Sequence, residues 1–161
     1  MKVLFIAPNT PGHSLCLRTL KTVLVTHLEW DIDEYYLDYS ENSTTSPKEF
    51  VFENCSRNIE QLLQLYNISS YDLIINDFFA IEGYVLGKMF SVFTIVSIPA
   101  ILGENFHSVS GFDHDHISIQ QTQQTQQIQQ IEQSYGITFS EPKVVSDGWL
   151  FEGDSHLVWT Y

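Results

Sequence analysis

Two side chains that could move a proton follow two apolar runs of this chain. His13 lies in the segment APNTPGHSLCL, which directly follows the run VLFI, and Asp77 closes the run YDLIIND. If both runs are parallel strands of one sheet, their carboxyl ends lie at the edge where α/β proteins bind ligands. Neighbouring strands of a sheet are about 4.8 Å apart. The Asp77 carboxylate could then fix the tautomer of the His13 ring, which would act as a general base. The alternative is that Asp77 caps the next helix and that His13 is exposed and without a task.

The elements that would position these residues alternate between strand and helix. Apolar runs and alternating patterns predict five strands, at residues 3–7, 30–39, 71–77, 91–99 and 155–161. Helical spacing predicts three helices between them, after the turn at residues 8–12, at residues 47–66 and within residues 78–90. This order predicts an α/β fold, a Rossmann-like parallel sheet with helices on both faces, in a single domain over residues 1–161.

A glutamine-rich tract precedes the last predicted strand. Residues 117–134 are of low complexity, yet Ile117, Ile128 and Ile131 fall at helical intervals. This spacing predicts a long, mostly exposed helix with a narrow apolar stripe. A disordered polar tract is the alternative.

The overall charge restricts the partners of the chain. Twenty acidic residues against seven basic ones give a formal net charge of −13 over 161 residues. Nucleic acid and anionic membrane surfaces both require clustered Lys and Arg, so the composition argues against both. The two cysteines, Cys16 and Cys55, form neither a disulfide framework nor a metal-binding spacing, which favours a reducing compartment. Without a signal peptide or an apolar run of roughly 20 residues, we expect no membrane span and a cytoplasmic location.

The motif DHDH at residues 113–116 contains side chains that bind metals. Four adjacent residues on one loop seldom converge on one ion without distant partners, so no metal site is predicted. The turn PNTPG lacks the glycine spacing of a phosphate-binding loop.

Four segments carry a family resemblance. The opening KVLFIAPNTPGHSLCLRTLKTVLVTHLEWDIDEYYL places Gly12 and His13 after a strand, with His27 before the next strand. The segment YDLIINDFFAIEGYVLGKMFSVFTIVSIPAIL places Asp77 after a strand that is followed by a helix and another strand. Together with IEQSYGI and GDSHLVWT, these segments resemble the N-terminal, acceptor-binding domain of GT-B glycosyltransferases of the UDP-glycosyltransferase and macrolide-glycosyltransferase type.

The resemblance implies an enzyme, an inverting hexosyltransferase. It implies that His13 deprotonates the acceptor hydroxyl, with Asp77 as its partner, and that a sugar passes from a nucleotide sugar of the UDP type to a small, apolar acceptor. No cofactor or metal is implied, because groups of the donor-binding half hold the diphosphate in this family. Gly12 of the Gly-His turn and three aromatic residues just past strand ends are expected to bind the acceptor: Phe78, Phe79 and Phe106.

The donor-binding C-terminal domain of that family has no counterpart among the 161 residues. We therefore expect that domain to be absent and the chain alone to be inactive. A separate donor-domain chain or a homodimer is the expected partner. The alternative is a non-catalytic or truncated Rossmann-like binding module.

Overall fold

Five parallel strands form the centre of the computed structural model, which describes residues 1–38, 47–98, 126, 128–138, 143–145, 148–150 and 154–158. The helices and strands follow in this order: β1 (Lys2–Pro8), α1 (Pro11–Leu28), β2 (Asp31–Leu37), α2 (Pro47–Leu65), β3 (Leu73–Asp77), α3 (Ile81–Phe90), β4 (Phe93–Ile98), β5 (Lys143–Val145), β6 (Gly148–Leu150) and β7 (Ser155–Val158). A 3-10 turn at Ile68–Ser70 precedes β3, and residues 128–135 are helical.

The strands of the sheet follow the order β2-β1-β3-β4-β7, and each neighbouring pair is parallel. The chain passes outward from β1 to β2 and then returns on the other side of β1 as β3. The strands that follow β1 in the chain thus lie on both sides of it, and the gap between β1 and β3 is the topological switch point of the sheet. Ligands of open α/β sheets bind at the carboxyl edge beside such a point. The predicted α/β, Rossmann-like architecture is confirmed.

The two faces of the sheet bury different residues because successive side chains of a strand point to opposite sides. On one face, Leu4, Ile6 and Ile74 pack with buried residues of α2 and α3. On the other face, Val3, Phe5, Ala7, Leu73 and Ile75 pack with Leu17 and Leu24 of α1. The continuous apolar runs of β1 and β3 thus supply both cores at once, as expected of strands covered on both sides.

Part of the glutamine-rich tract packs against the core. Residues 126 and 128–135 are helical, Ile131 is buried, and Ile128 is partly buried against the α2–α3 face. The helix predicted over residues 117–134 is therefore present where the structure describes it, and residues 117–125 lie outside the described part.

The last strand joins the sheet, and a small hairpin precedes it. β7 pairs with β4, with Ile95 beside Ser155 and Ile98 beside Val158, so the strand predicted at residues 155–161 is present over its described part. β5 and β6 form an antiparallel pair outside the main sheet. This hairpin was not predicted from the sequence, because strands of three residues are too short to show a periodic pattern.

Helix α3 lies unusually close to the strands beneath it. A Cβ atom at Gly83 would overlap the side chain of Asn76 on β3, at 2.8 Å from its Cγ. One turn further along, a Cβ atom at Gly87 would overlap the Thr94 methyl group on β4. The two glycines therefore allow the α3 backbone to pack directly on β3 and β4.

Candidate active site at the carboxyl edge of the sheet

His13 and Asp77 meet at the point where the strand order reverses. The Nδ1 atom of His13 lies 3.0 Å from both Oδ1 and Oδ2 of Asp77, although the two residues are 64 positions apart in sequence. His13 stands in the first turn of α1, which begins at Pro11 directly after β1, and Asp77 is the last residue of β3. The parallel pairing of β1 with β3 brings these two positions together. The predicted convergence of the two side chains is therefore confirmed.

Asp77 is held in place by the backbone that follows it. Its side chain is 1% exposed, and its Oδ1 atom accepts a hydrogen bond of 2.9 Å from the N–H of Phe79. The N-cap of α3 is Ala80, with no side-chain cap bond, so Asp77 does not cap that helix. The carboxylate instead fixes the turn before α3 and contacts His13. The alternative in which Asp77 is only a helix cap is wrong.

The contact with Asp77 decides which nitrogen of His13 carries a proton. An ionised carboxylate only accepts hydrogen bonds, so Nδ1 donates and Nε2 carries the lone pair of the neutral ring. The ring is still 25% exposed, and a proton can therefore reach it from a bound molecule. A histidine oriented in this way by a buried carboxylate is suited to general-base chemistry.

Two aromatic rings flank the histidine. The Phe78 ring lies 5.5 Å from the His13 ring, and the Phe79 ring meets it edge-on at 5.1 Å. Both phenylalanines are partly buried, and their own centroids are 4.1 Å apart. Both were predicted to bind the acceptor; the structure places both beside His13, and acceptor binding stays a prediction.

The other predicted residues have mixed outcomes. Gly12 precedes His13 in the first turn of α1, and a Cβ atom there would meet nothing within 4 Å among the described atoms. His27 lies in the last turn of α1, about 20 Å along the helix from His13. Phe106 and the DHDH motif at residues 113–116 lie outside the described residues.

The described residues contain no group of three or more His, Cys, Asp or Glu side chains that could hold a metal ion. Over that part of the chain, each helix is too short or too polar to cross a bilayer.

Two buried polar residues behind the site were not predicted from the sequence. Asn76 is 2% exposed and Glu82 is 0% exposed, and both lie on the α2–α3 side of the sheet. Burial raises the pKa of the Glu82 carboxyl from 4.5 to about 7, although hydrogen bonds from Asn58 and from its own N–H favour the charged form. The signal for Glu82 is a single acidic residue inside the apolar run AIEGYVLG, and the signal for Asn76 is a second polar residue beside Asp77 at the end of LIIND.

The fold and this site define a Rossmann-like α/β domain with a candidate proton-transfer pair at its topological switch point. The chain can also be compared with known proteins by sequence and by fold. No known family profile matches the chain, and no curated protein matches it.

Solved structures do match the chain, and three of them are glycosyltransferases that share its fold. The glycosyltransferase VinC in complex with dTDP shares 12% identity at a TM-score of 0.60, covering 98% of this chain and 48% of VinC. The calicheamicin glycosyltransferase CalG4 shares 13% identity at a TM-score of 0.54, covering 98% of this chain and 47% of CalG4. The spinosyn rhamnosyltransferase SpnG, complexed with thymidine diphosphate, shares 13% identity at a TM-score of 0.52, covering 69% of this chain and 38% of SpnG. The chain thus has the fold of a part of these enzymes and spans less than half of their length.

Proposed function

We propose that this chain is the acceptor-binding half of an inverting glycosyltransferase. The observation that carries the proposal is the His13 Nδ1 atom placed 3.0 Å from both oxygens of the buried Asp77 carboxylate. The resemblance of the sequence to GT-B enzymes and the glycosyltransferase fold of the matched structures both support this reading.

In the proposed reaction, His13 takes one proton from the acceptor. The Nε2 lone pair accepts the proton of an acceptor hydroxyl as that oxygen attacks the anomeric carbon of the sugar. The bond from that carbon to the nucleoside diphosphate breaks, and the diphosphate leaves with the electron pair. Asp77 accepts a hydrogen bond from Nδ1–H throughout and stabilises the imidazolium that forms.

The acceptor is proposed to be small and apolar. The Phe78 and Phe79 rings lie beside the histidine and offer an apolar surface, and Gly12 leaves the adjoining turn without a side chain. Such a surface binds a molecule with one hydroxyl on an apolar body. Phe106 remains a proposed acceptor contact from the sequence alone.

The donor is proposed to be a nucleotide sugar, held by a second half that is not among these residues. The sequence resemblance favours a UDP-sugar, whereas VinC and SpnG were solved with thymidine diphosphate nucleotides. We propose that a separate donor-domain chain or a second copy supplies this half, that no metal or cofactor takes part, and that the protein works in the cytoplasm.

The proposed base can be tested on the isolated chain with 4-nitrophenol, an apolar acceptor whose phenolate absorbs at longer wavelength than its phenol. We expect it to bind beside His13, shifting the amide signals of residues 12–13 and 78–79 in an NMR titration. We also expect the bound molecule to show more phenolate than the free molecule at the same pH. In His13→Gln the phenolate signal should fall to that of the free molecule. The matched control His27→Gln changes an exposed histidine at the other end of α1 and should leave the signal unchanged.

The outcomes separate the proposal from the alternative. Binding at this site with equal phenolate in the wild type and in His13→Gln would identify a non-catalytic binding module. No binding of 4-nitrophenol near His13 would overturn the acceptor site itself.

A further inference from the structure

Asn76 precedes Asp77 on β3 and lies on the opposite face of the sheet, against the first turn of α3. Its side-chain amide is buried, and Nδ2 donates hydrogen bonds of 3.1 Å to the carbonyl of Asp77 and 3.2 Å to the carbonyl of Ala80. Both partners are carbonyl oxygens that only accept, so the atom between them must be the NH₂ group. An aspartate at this position would place a carboxylate oxygen, which only accepts, against two carbonyl oxygens. The need for a donor explains why the residue is an asparagine.

These two bonds close the turn between β3 and α3. The N–H of Ala80 also donates to the Asp77 carbonyl, at 2.8 Å, and the N–H of Phe78 donates to the Ser97 carbonyl of β4, at 3.1 Å. The Phe79 N–H donates to the Asp77 carboxylate. The turn is thus fixed to the sheet on one side and to the Asn76 amide on the other.

The packing around Asn76 indicates that its donor group is the reason for its presence. Gly83 brings the α3 backbone against the Asn76 side chain and restricts its position. Within the part of the chain that the structure describes, Oδ1 of Asn76 accepts no hydrogen bond although it is buried. An unpaired buried acceptor is destabilising, and an apolar residue would avoid that cost. The cost is offset by the two bonds from Nδ2.

We infer that Asn76 is a positioning residue for the His13–Asp77 pair. Its amide fixes the β3–α3 turn from the far side of the sheet and so sets the direction in which the Asp77 carboxylate meets Nδ1 of His13. The inference rests on the proposed function for its catalytic meaning, whereas the geometric effect can be measured without turnover.

The test is the tautomer of His13, read from the ¹⁵N NMR shifts of its ring. In the wild type we expect Nδ1 to carry the proton of the neutral ring. In Asn76→Ala we expect the ratio of Nδ1-protonated to Nε2-protonated rings to fall about tenfold, the equivalent of roughly one hydrogen bond. The matched control is Asn58→Ala, which removes another buried amide donor from the same layer without touching the turn, since Asn58 binds Glu82.

The control separates positioning from a general loss of stability. A fallen ratio in Asn76→Ala with an unchanged ratio in Asn58→Ala supports the inference. An unchanged ratio in Asn76→Ala, or an equal fall in both variants, overturns it. If Asn76→Ala does not fold, Asn76→Leu, which has no hydrogen-bond donor and a side chain of similar size, is compared with the same control and decided in the same way.

Failure of this inference is distinguishable from failure of the proposed function. If the ratio is unchanged in Asn76→Ala but His13→Gln returns the phenolate signal of bound 4-nitrophenol to that of the free molecule, the role of His13 as a base is supported and the positioning role of Asn76 is overturned. If the tautomer ratio falls in Asn76→Ala while bound 4-nitrophenol shows no more phenolate than the free molecule, the positioning role of Asn76 is supported and the proposed chemistry is overturned.

Discussion

Glu82 should make the stability of this chain depend on pH near neutrality. Its carboxyl is fully buried in the first turn of α3, where Oε1 accepts a hydrogen bond of 2.7 Å from Asn58. Oε2 accepts none from the residues that the structure describes. Because burial raises its pKa from 4.5 to about 7, the folded chain binds more protons than the unfolded chain between these two values. The free energy of unfolding therefore falls as the pH rises from about 4.5 to about 7.

The size of the effect follows from the pKa difference. At about 1.4 kcal/mol per pKa unit, the rise from 4.5 to about 7 corresponds to about 3 kcal/mol of stability lost once Glu82 is charged. Glu82→Gln keeps the oxygen that accepts from Asn58 and cannot ionise. The amide also places an unpaired NH₂ in the core, at about 1–3 kcal/mol. Because that term does not vary with pH, the pH dependence identifies the buried acid better than the sign of the change at one pH.

Urea unfolding at pH 5 and pH 8 provides the measurement. We expect the free energy of unfolding of Glu82→Gln, relative to the wild type, to increase by about 2–3 kcal/mol from pH 5 to pH 8. Glu60→Gln, at an exposed position of α2, should track the wild type at both pH values. An equal difference between Glu82→Gln and the wild type at both pH values would refute the reasoning, because a charge-dependent penalty cannot be independent of pH.

Three further predictions concern the site and its partners. In Asp77→Asn the loss of a charge-assisted hydrogen bond to His13 should lower the equilibrium constant for proton transfer from bound 4-nitrophenol to His13 about 10- to 100-fold, so the phenolate absorbance should fall towards that of the free molecule; an absorbance equal to that of the wild type would remove Asp77 from the proposed mechanism. The chain alone should bind UDP-glucose weakly and transfer nothing measurable, because transfer requires two substrates positioned together; micromolar binding by calorimetry would contradict this. The chain should form homodimers or larger species, because β7 lies at the edge of the described sheet and salt screens the charge of −13 beyond about 8 Å. Light scattering should show a mass that rises with salt, and a constant monomer mass would argue against it.

The central strands β1 and β3 could be predicted because their runs are mostly apolar. The runs VLFIA and LII do not alternate, which is typical of parallel strands buried on both faces, and their shortness favours strands over helices. Their lengths and separations then required helical crossovers, which fixed the layers of the fold. The pairing of β5 with β6 carries no such signal, because three residues per strand show no period.

The contact between His13 and Asp77 could be predicted from their positions in the sequence. The buried polar residues behind them could not. His13 and Asp77 each follow an apolar run, so the rule that strand ends share one edge was enough to bring them together. Asn76 contacts backbone carbonyls and Glu82 contacts Asn58, and a polar residue in or beside an apolar run does not reveal its partner. The role of Asn76 required the distances from its amide to two carbonyls, which depend on the path of the β3–α3 turn.

The sequence separation of the pair has a consequence for how the chain folds. His13 belongs to α1, a local element, but it meets Asp77 only after β3 has paired with β1 across 64 residues. During synthesis, β1, α1 and β2 can associate while β3 is still unmade, and one edge of β1 must stay open for it. Closing so long a loop is slow relative to helix formation. In refolding, the signal of the His13–Asp77 contact should therefore appear with the completion of the sheet, well after α1 has become helical.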